Sequence, residues 1–370
     1  MDFAERLAIA VCAAYLVLPV ISAIGSPIYT DAHGIIGTEQ RCEVKDNESL
    51  WEIARKFDIG INEISHANPG VDPIIPETGS IVRIPSKWIL PDVPVRRGIV
   101  INIPEFRLYY FPSEDPGKVM TFPVGVGDEG KNTPVGSYSV IEKIVNPAWY
   151  VPESIRREKP ELPRVVPPGP DNPMGSHALR LSLKTVLIHG TDRPWGIGTR
   201  SSHGCLRLYP EDIVLLFSMV RKGTKVTIVN QPIKVALRDG KVYMEVHRYE
   251  EIDYAGLAVR LLGNRGLLEM VDFIKLGREL EAMSGMPVDI TQTASGLYFN
   301  GGAVGNQGPD LVHLLVGDSD ATSSPVSLRM DLAQICKTLG KTVNHNPLAW
   351  IDAPFFRIGD VTAVGIGYMD

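Results

Sequence analysis

Apolar residues fall at helical spacing at Leu50, Ile53, Ala54 and Phe57, after the polar run Asn47-Glu48-Ser49. The i, i+3, i+4, i+7 pattern with a polar cap predicts an amphipathic helix over 50–57, which Gly60 can end. A second helix is predicted over 61–67 and is stopped by Asn68-Pro69-Gly70. Glu43-Val44 before the helices and Ile81-Val82-Arg83-Ile84-Pro85 after them read as short strands. The unit is therefore β-α-α-β. Pro91 and Pro94 mark residues 86–97 as a linker without regular structure.

From Gly98 the period changes to that of strands. Residues 99–103 and 107–111 read as a pair around Pro104-Glu105, and 119–125 and 136–141 add further strands. Glu153 to Pro170 is rich in proline and charge, and is predicted to be an irregular insertion over a cleft. Pro210 to Val220 has proline at the start and acids in its first turn, so it reads as a helix, and Lys225 to Val229 as a closing strand. Short strands with Gly/Pro turns and one short helix predict a β-sandwich or barrel. Beyond it, 233–237 and 241–246 form a hairpin pattern on Asp239-Gly240. Residues 254–284 read as largely helical, and 290–297 and 361–368 as strands, so this last region is α+β.

The length of 370 residues predicts two or three domains. A formal charge of −6 gives no reason to expect nucleic-acid binding. Leu7 to Gly25 is the one long apolar run and lies at the N-terminus, so it reads as a secretory signal or an uncleaved anchor. Either places the body outside the cytoplasm, in the periplasm or cell envelope. Cys12, Cys42, Cys205 and Cys336 contain no C-x-x-C pair, which argues against a zinc knuckle or a thioredoxin-type site. A Cys42–Cys336 disulfide and two free thiols both remain open. His247, His313 and His345 are too scattered to indicate a metal site.

One short stretch concentrates chemistry: Ser201-Ser202-His203-Gly204-Cys205-Leu206-Arg207, preceded by Ile188-His189-Gly190. A thiol becomes a strong nucleophile only as thiolate, and so needs a base or a positive environment. His189 and Arg207 are candidates for these, and a cysteine with a histidine is the minimum for an acyl-enzyme. Spacing alone leaves open whether Cys205 is such a nucleophile or a buried structural thiol.

His189-Gly190 followed by Ser202-His203-Gly204-Cys205-Leu206-Arg207 resembles the signature of the L,D-transpeptidase catalytic domain. Thr133-Pro134-Val135-Gly136, Asn146-Pro147-Ala148-Trp149, and Asn172-Pro173-Met174-Gly175 with Ala178-Leu179-Arg180-Leu181 resemble further motifs of that family, in its order. The likeness runs from about Arg97 to Val229. It implies that Cys205 attacks an amide carbonyl, that His189 takes the thiol proton, and that Gly190 orients His189. Backbone N–H groups around Gly204 and Cys205 would cradle the oxyanion. His203 is either a second catalytic imidazole or a support of the loop, with support the preferred reading. Ser202 would fix the loop, and Arg207 either holds a substrate carboxylate or makes a structural ion pair. No metal or organic cofactor is needed for this chemistry. The implied process is peptidoglycan biosynthesis, with effects on cell-wall organisation and cell shape, and the implied inhibitor is a carbapenem.

The first unit resembles a LysM domain through Ser49-Leu50-Trp51, Ile53-Ala54, Asn68-Pro69 and Val82-Arg83-Ile84-Pro85. The resemblance implies binding to peptidoglycan glycans. Lys45-Asp46-Asn47-Glu48 departs from the usual Lys-x-Gly-Asp turn, and Trp51 reads as core rather than ligand platform. The expected organisation is residues 1–32 as signal peptide or anchor, 41–86 as LysM module, 97–230 as L,D-transpeptidase domain and 231–370 without assigned function. The reaction implied is acyl transfer from a tetrapeptide stem to another stem, a protein lysine, a D-amino acid or water. Competing readings are a cysteine L,D-carboxypeptidase and a non-catalytic wall-binding protein. The LysM unit is expected to be separable from the catalytic one, and an uncleaved N-terminal segment would add a membrane contact.

Overall fold

The computed structural model describes residues 28–31 and 34–292, and beyond them the backbone of the strands Tyr298–Gly302, Leu311–Gly317, Val326–Asp331, Phe355–Ile358 and Val361–Gly367. The apolar run at 7–25, Cys12, Cys336 and the side chains of His313 and His345 lie outside the described residues. No helix among the described residues is long and apolar enough to cross a membrane.

The central body is mainly β, as expected. A nine-stranded sheet runs in the order Ile28–Thr30, Lys118–Pro123, Arg107–Phe111, Gly98–Asn102, Lys225–Val229, Gly136–Val145, His177–Leu181, Leu187–His189, Leu206–Arg207. Two of its pairings are parallel: Gly98–Asn102 with Lys225–Val229, and Leu187–His189 with Leu206–Arg207. The other pairings are antiparallel.

The two central strands are buried at every position. Their side chains alternate between faces, and each face meets a different core. Ile99, Ile101, Leu108 and Tyr110 join Phe122, Leu206, Ile213 and Leu216 in the catalytic core. Val100, Tyr109 and Phe111 point the other way, into a cluster with Leu50, Ile53, Ile59, Ile64, Val82 and Trp88. Burial on both faces explains why these strands read as continuous apolar runs. It also corrects the expectation of a separable LysM unit, because that unit supplies the cover for one face of the catalytic sheet.

The unit itself forms as predicted: strand Gln40–Glu43, helices Leu50–Lys56 and Ile61–Ala67, and strand Ile81–Ile84. Ser49 and Glu52 make a reciprocal capping box. The Asn68 side chain donates to Ile64 O and Arg83 O and accepts from Arg83 N–H, so one residue ends a helix and pins the last strand. In the altered turn, Asn47 adopts φ 59°, the left-handed conformation the usual glycine would take. Trp51 is half-buried against the core.

A buried ion pair joins the two units. Arg107, on the LysM-facing side of its strand, donates from Nε and Nη2 to Glu63 at 2.9 and 2.8 Å. Its guanidinium lies 4.3 Å from the Trp88 ring centroid. Arg55 pairs with Glu211, and Gly60 lies against Gly198, where a Cβ on Gly198 would come 2.4 Å from the Gly60 Cα.

Residues 86–97 are not wholly irregular: Lys87–Ile89 pairs with Ile35–Gly37. Pro91 and Pro94 confine this strand to the segment before them. The insertion at 153–170 is more ordered than expected. It holds the helix Glu153–Glu158 and a short pairing of Val165–Val166 with Trp149–Tyr150.

The hairpin Ile233–Arg238/Lys241–Val246 turns on Asp239 and Gly240, both at positive φ, which suits the twist of a two-residue hairpin loop. Helices Tyr254–Asn264 and Phe273–Ala282 follow, capped by Asp253 and Asp272. Val288–Asp289 pairs with Tyr243 and Met244, and most of the strand expected at 290–297 lies outside the described residues. The predicted terminal strand is present as Val361–Gly367. The hairpin docks through buried charges: Lys234 Nζ lies 2.8 Å from both Glu105 Oε1 and Glu245 Oε1. His247 Nε2 lies 2.7 Å from Glu245 Oε1. Glu105, Glu245 and His247 are close enough to hold a metal ion, but the Lys234 ammonium already supplies the positive charge between the carboxylates.

Candidate active site

The chemistry-bearing residues converge at one end of the large sheet. Leu187–His189 and Leu206–Arg207 pair in parallel, with Ile188 opposite Leu206 and His189 opposite Arg207. Ile188 and Leu206 enter the catalytic core. Side-chain alternation then sends His189 and Arg207 to the opposite face, and Cys205 ends the loop that enters the second strand, with its Sγ 3.8 Å from Thr185 O. The Arg207 charge acts on both His189 and Cys205.

His189 is 3% exposed. Its Nδ1 lies 2.7 Å from Gly190 O. A carbonyl only accepts, so Nδ1 carries the proton and Nε2 is left as the basic nitrogen of the neutral ring. Burial, joined by the nearby Arg207 charge, pulls the His189 pKa down to about 4, while the carbonyls of Gly190 and Met174 oppose this. Cys205 is half-buried. Burial raises its thiol pKa, and the Leu187 backbone and the Arg207 charge only partly offset it. The resting pair is therefore thiol and neutral imidazole. Arg207 is itself largely enclosed, and its Nε has no hydrogen-bond partner.

The loop before Cys205 is tied internally. Ser202 Oγ donates to Cys205 O and accepts from Gly204 N–H at 3.1 Å. The Gly204 N–H expected to face an oxyanion is thus engaged by Ser202. Gly204 holds φ +103°, a conformation that disfavours any side chain. Gly190 lies tight against the helix after the loop, where a Cβ would come 3.0 Å from Ile213 Cγ2.

Residues not anticipated as part of the site complete it. Thr133 Oγ1 donates to Gly204 O at 3.1 Å and accepts from Gly127 N–H. Thr133 sits in the Thr-Pro-Val-Gly run, so its signal was present in the sequence. His203 is exposed, with Nε2 2.8 Å from Lys131 Nζ and 3.2 Å from Glu158 Oε2. One ring nitrogen cannot accept from an ammonium and donate to a carboxylate at once. Nε2 without a proton accepts from Lys131, and Nε2 with one donates to Glu158, so the two contacts belong to different proton placements on the ring. Nothing in the sequence pattern pointed to Lys131 or Glu158.

Comparison with known proteins fits this geometry. Residues 96–228 match the model of the L,D-transpeptidase catalytic domain, and residues 42–85 match that of the LysM domain. The chain is 43% identical over 272 residues to the Escherichia coli (strain K12) protein named probable L,D-transpeptidase YcfS, covering 68% of this chain and 84% of that protein. The chain belongs to the L,D-transpeptidase family. It is also 37% identical to the probable L,D-transpeptidase YbiS of the same strain, over 72% of this chain and 92% of that one. To the probable L,D-transpeptidase ErfK/SrfK of Salmonella typhimurium it is 36% identical, over 74% of this chain and 94% of that one. A solved structure titled as the Ldtfm–avibactam carbamoyl enzyme aligns with TM-score 0.30 and 24% identity, over 37% of this chain and 50% of that chain.

In this member of the L,D-transpeptidase family the cysteine loop is thus supported from three sides. Ser202 holds it from within, Thr133 from the turn after Gly127, and Lys131 with Glu158 from the outer rim.

Proposed function

We propose that the protein is an acyltransferase that takes the acyl group of a peptidoglycan tetrapeptide stem onto Cys205. It passes that group to an amine, forming a 3→3 cross-link or attaching another acceptor. The pairing that sets His189 beside Arg207, with Cys205 two residues earlier and both under the Arg207 charge, carries this reading.

His189 Nε2 accepts the thiol proton as sulfur attacks the carbonyl carbon of the stem. A neutral base and a neutral thiol rest together until substrate binds, and the developing thiolate is stabilised by Arg207. The Cys205 N–H is the backbone donor for the oxyanion, since Ser202 already holds the Gly204 N–H. Loss of the terminal D-amino acid takes the proton back from His189. The incoming amine then gives its proton to the same nitrogen as it attacks the thioester, and the C–S bond breaks as that proton passes to the Cys205 sulfur. Gly190 fixes the imidazole through its carbonyl. His203 supports the rim, and Arg207 orients a substrate carboxylate with its planar fork. The LysM unit binds glycan, and the protein works in the cell envelope, where that polymer lies. The domains are 41–86 for the LysM module, 97–230 for catalysis and 231–370 for the remainder, after a signal or anchor at 1–32.

Purified disaccharide-tetrapeptide incubated with the protein and analysed by mass spectrometry tests this. A cross-linked dimer is expected, and its absence in Cys205→Ala. A tripeptide alone would make the protein a carboxypeptidase, and unchanged substrate would leave only wall binding.

A further inference from the structure

The region after the catalytic domain sends one aromatic residue back to the catalytic loop. Tyr249 follows the hairpin Ile233–Arg238/Lys241–Val246 and packs against the catalytic core. Its ring makes an edge contact with Phe106 at 6.0 Å between centroids. Its backbone is fixed by Tyr254, whose hydroxyl accepts from Tyr249 N–H and donates to His247 O, both at 3.1 Å. The ring is therefore held from two units at once.

On its face lies Arg200, with the guanidinium carbon 4.5 Å from the ring centroid. Arg200 opens the short strand Arg200–Ser202, which runs directly into His203, Gly204 and Cys205. That strand pairs in parallel with Val126–Gly127, and Ser202 O accepts from Asp128 N–H. Arg200 Nη2 donates to Asn132 Oδ1 at 2.7 Å, whereas its Nε has no hydrogen-bond partner. Asn132 stands between Lys131, which meets His203, and Thr133, which holds Gly204 O. A half-satisfied guanidinium depends on its stacking partner for orientation, because one hydrogen bond leaves it free to swing.

We propose that Tyr249 is a positioning residue for the acyl-transfer site, acting through Arg200 and Asn132 on the 128–133 turn and the 200–205 loop. The inference rests on the reading of Cys205 as acyl-enzyme nucleophile. The region without a recognised motif thereby takes part in building the active site. The stacked ring fixes Arg200, Arg200 fixes Asn132, and the two neighbours of Asn132 set the backbone from which Cys205 projects. Loss of the ring loosens the loop without touching the thiol, the imidazole or the substrate.

The test compares Tyr249→Leu, Tyr249→Phe and Asn132→Ala in the full chain. The first readout is hydrogen exchange across 127–133 and 200–206. The second is the rate of carbapenem acylation of Cys205. Tyr249→Leu is expected to speed exchange in both segments and slow acylation on the order of tenfold. Tyr249→Phe keeps the ring and restores both readouts. Asn132→Ala reproduces the acylation loss, and adding it to Tyr249→Leu costs little more, since both cut one chain of contacts. Unchanged exchange in folded Tyr249→Leu overturns the inference. So does equal damage in Tyr249→Phe, or full additivity with Asn132→Ala. If Tyr249→Leu does not fold, the Tyr249→Phe and Asn132→Ala exchange patterns decide. A wild-type protein that carbapenem leaves unmodified overturns the acyl-enzyme reading instead, and the exchange comparison still judges the positioning role.

Discussion

Glu63→Gln is expected to destabilise the whole body, because it strands a buried arginine. Arg107 is fully buried and its Glu63 partner nearly so. Glu63 Oε1 accepts from Arg107 Nε and Trp88 Nε1, and Oε2 accepts from Arg107 Nη2 and Gly60 N–H. Burial pushes the Glu63 carboxyl pKa up, yet four donors occupy both oxygens and leave no place for a proton, so the pair is ionised. An amide in place of the carboxylate keeps the shape, removes the countercharge and turns one acceptor into a donor facing donors. Breaking a buried pair from one side costs about 3–5 kcal/mol. Arg107 keeps Thr121 Oγ1 and Asp58 O as acceptors, which places the expected loss near the lower end, about 3 kcal/mol. At this size that lowers Tm by roughly 5–8 °C. Urea unfolding followed by tryptophan fluorescence should show one transition for wild type and variant, because the LysM unit and the catalytic sheet share a core. The paired change Glu63→Leu with Arg107→Met should lose less than Glu63→Gln alone, since it removes both charges. A loss below about 1 kcal/mol, or separate melting of the two units, would refute the shared-core argument.

Cys205→Ala should retain the fold and lose turnover by several orders of magnitude, measured as dimer formation from tetrapeptide. Carbapenem exposure should add one covalent mass to wild type and none to that variant. Carbapenem acylation should stay level from pH 6 to pH 8, where thiol and imidazole are both neutral and His189 takes the proton during attack, because burial raises the Cys205 pKa and lowers that of His189. A rise centred between pH 6 and pH 8 would mean that the pair itself titrates there and would contradict this. His189, pulled down to about 4, stays neutral in that range, so no fall in rate from its protonation is expected until pH approaches 4. Stability carries the opposite mark of the same shift: an unfolded His189 takes up a proton near 6.5 and the folded one only near 4, so stability falls as pH drops through that window. Removing residues 41–86 should weaken sedimentation with insoluble peptidoglycan. It should also destabilise the catalytic body, since Val100, Tyr109, Phe111 and Arg107 lose their cover.

Local signals were legible where short-range physics decides. The capping box at Ser49, the Asn68 stop and the Asp239-Gly240 turn each write their geometry into three or four adjacent residues. The strands expected at 99–103 and 107–111 form at 98–102 and 107–111, and their apolar runs reflect burial on both faces. What covers the second face was not legible, because any apolar partner satisfies the same pattern. Arg107 and Lys234 illustrate the limit. Each looks like the polar, outward position of a strand, and each is buried only because a distant unit brings a carboxylate to meet it. The thiol, imidazole and guanidinium of the site could be named from motif order. The register that brings His189 beside Arg207 depends on a parallel pairing of two very short strands that no local pattern encodes.

The same distinction bears on how the units cooperate. A tethered binding module leaves a catalytic domain's interior untouched, and a change in one is invisible to the other. Here the LysM helices fill one side of the catalytic sheet, with Trp51 Nε1 donating to Trp195 O and Ile61 N–H to Ile197 O. Residues 194–198 lie between His189 and Cys205 in the chain, so the module grips the connection between these two residues. Tyr209, four residues after Cys205, donates its hydroxyl to Ile59 O. The LysM helices therefore meet the 189–209 segment at two places through packed atoms rather than through a flexible tether. The seam belongs to the site's support as much as Ser202 and Thr133 do.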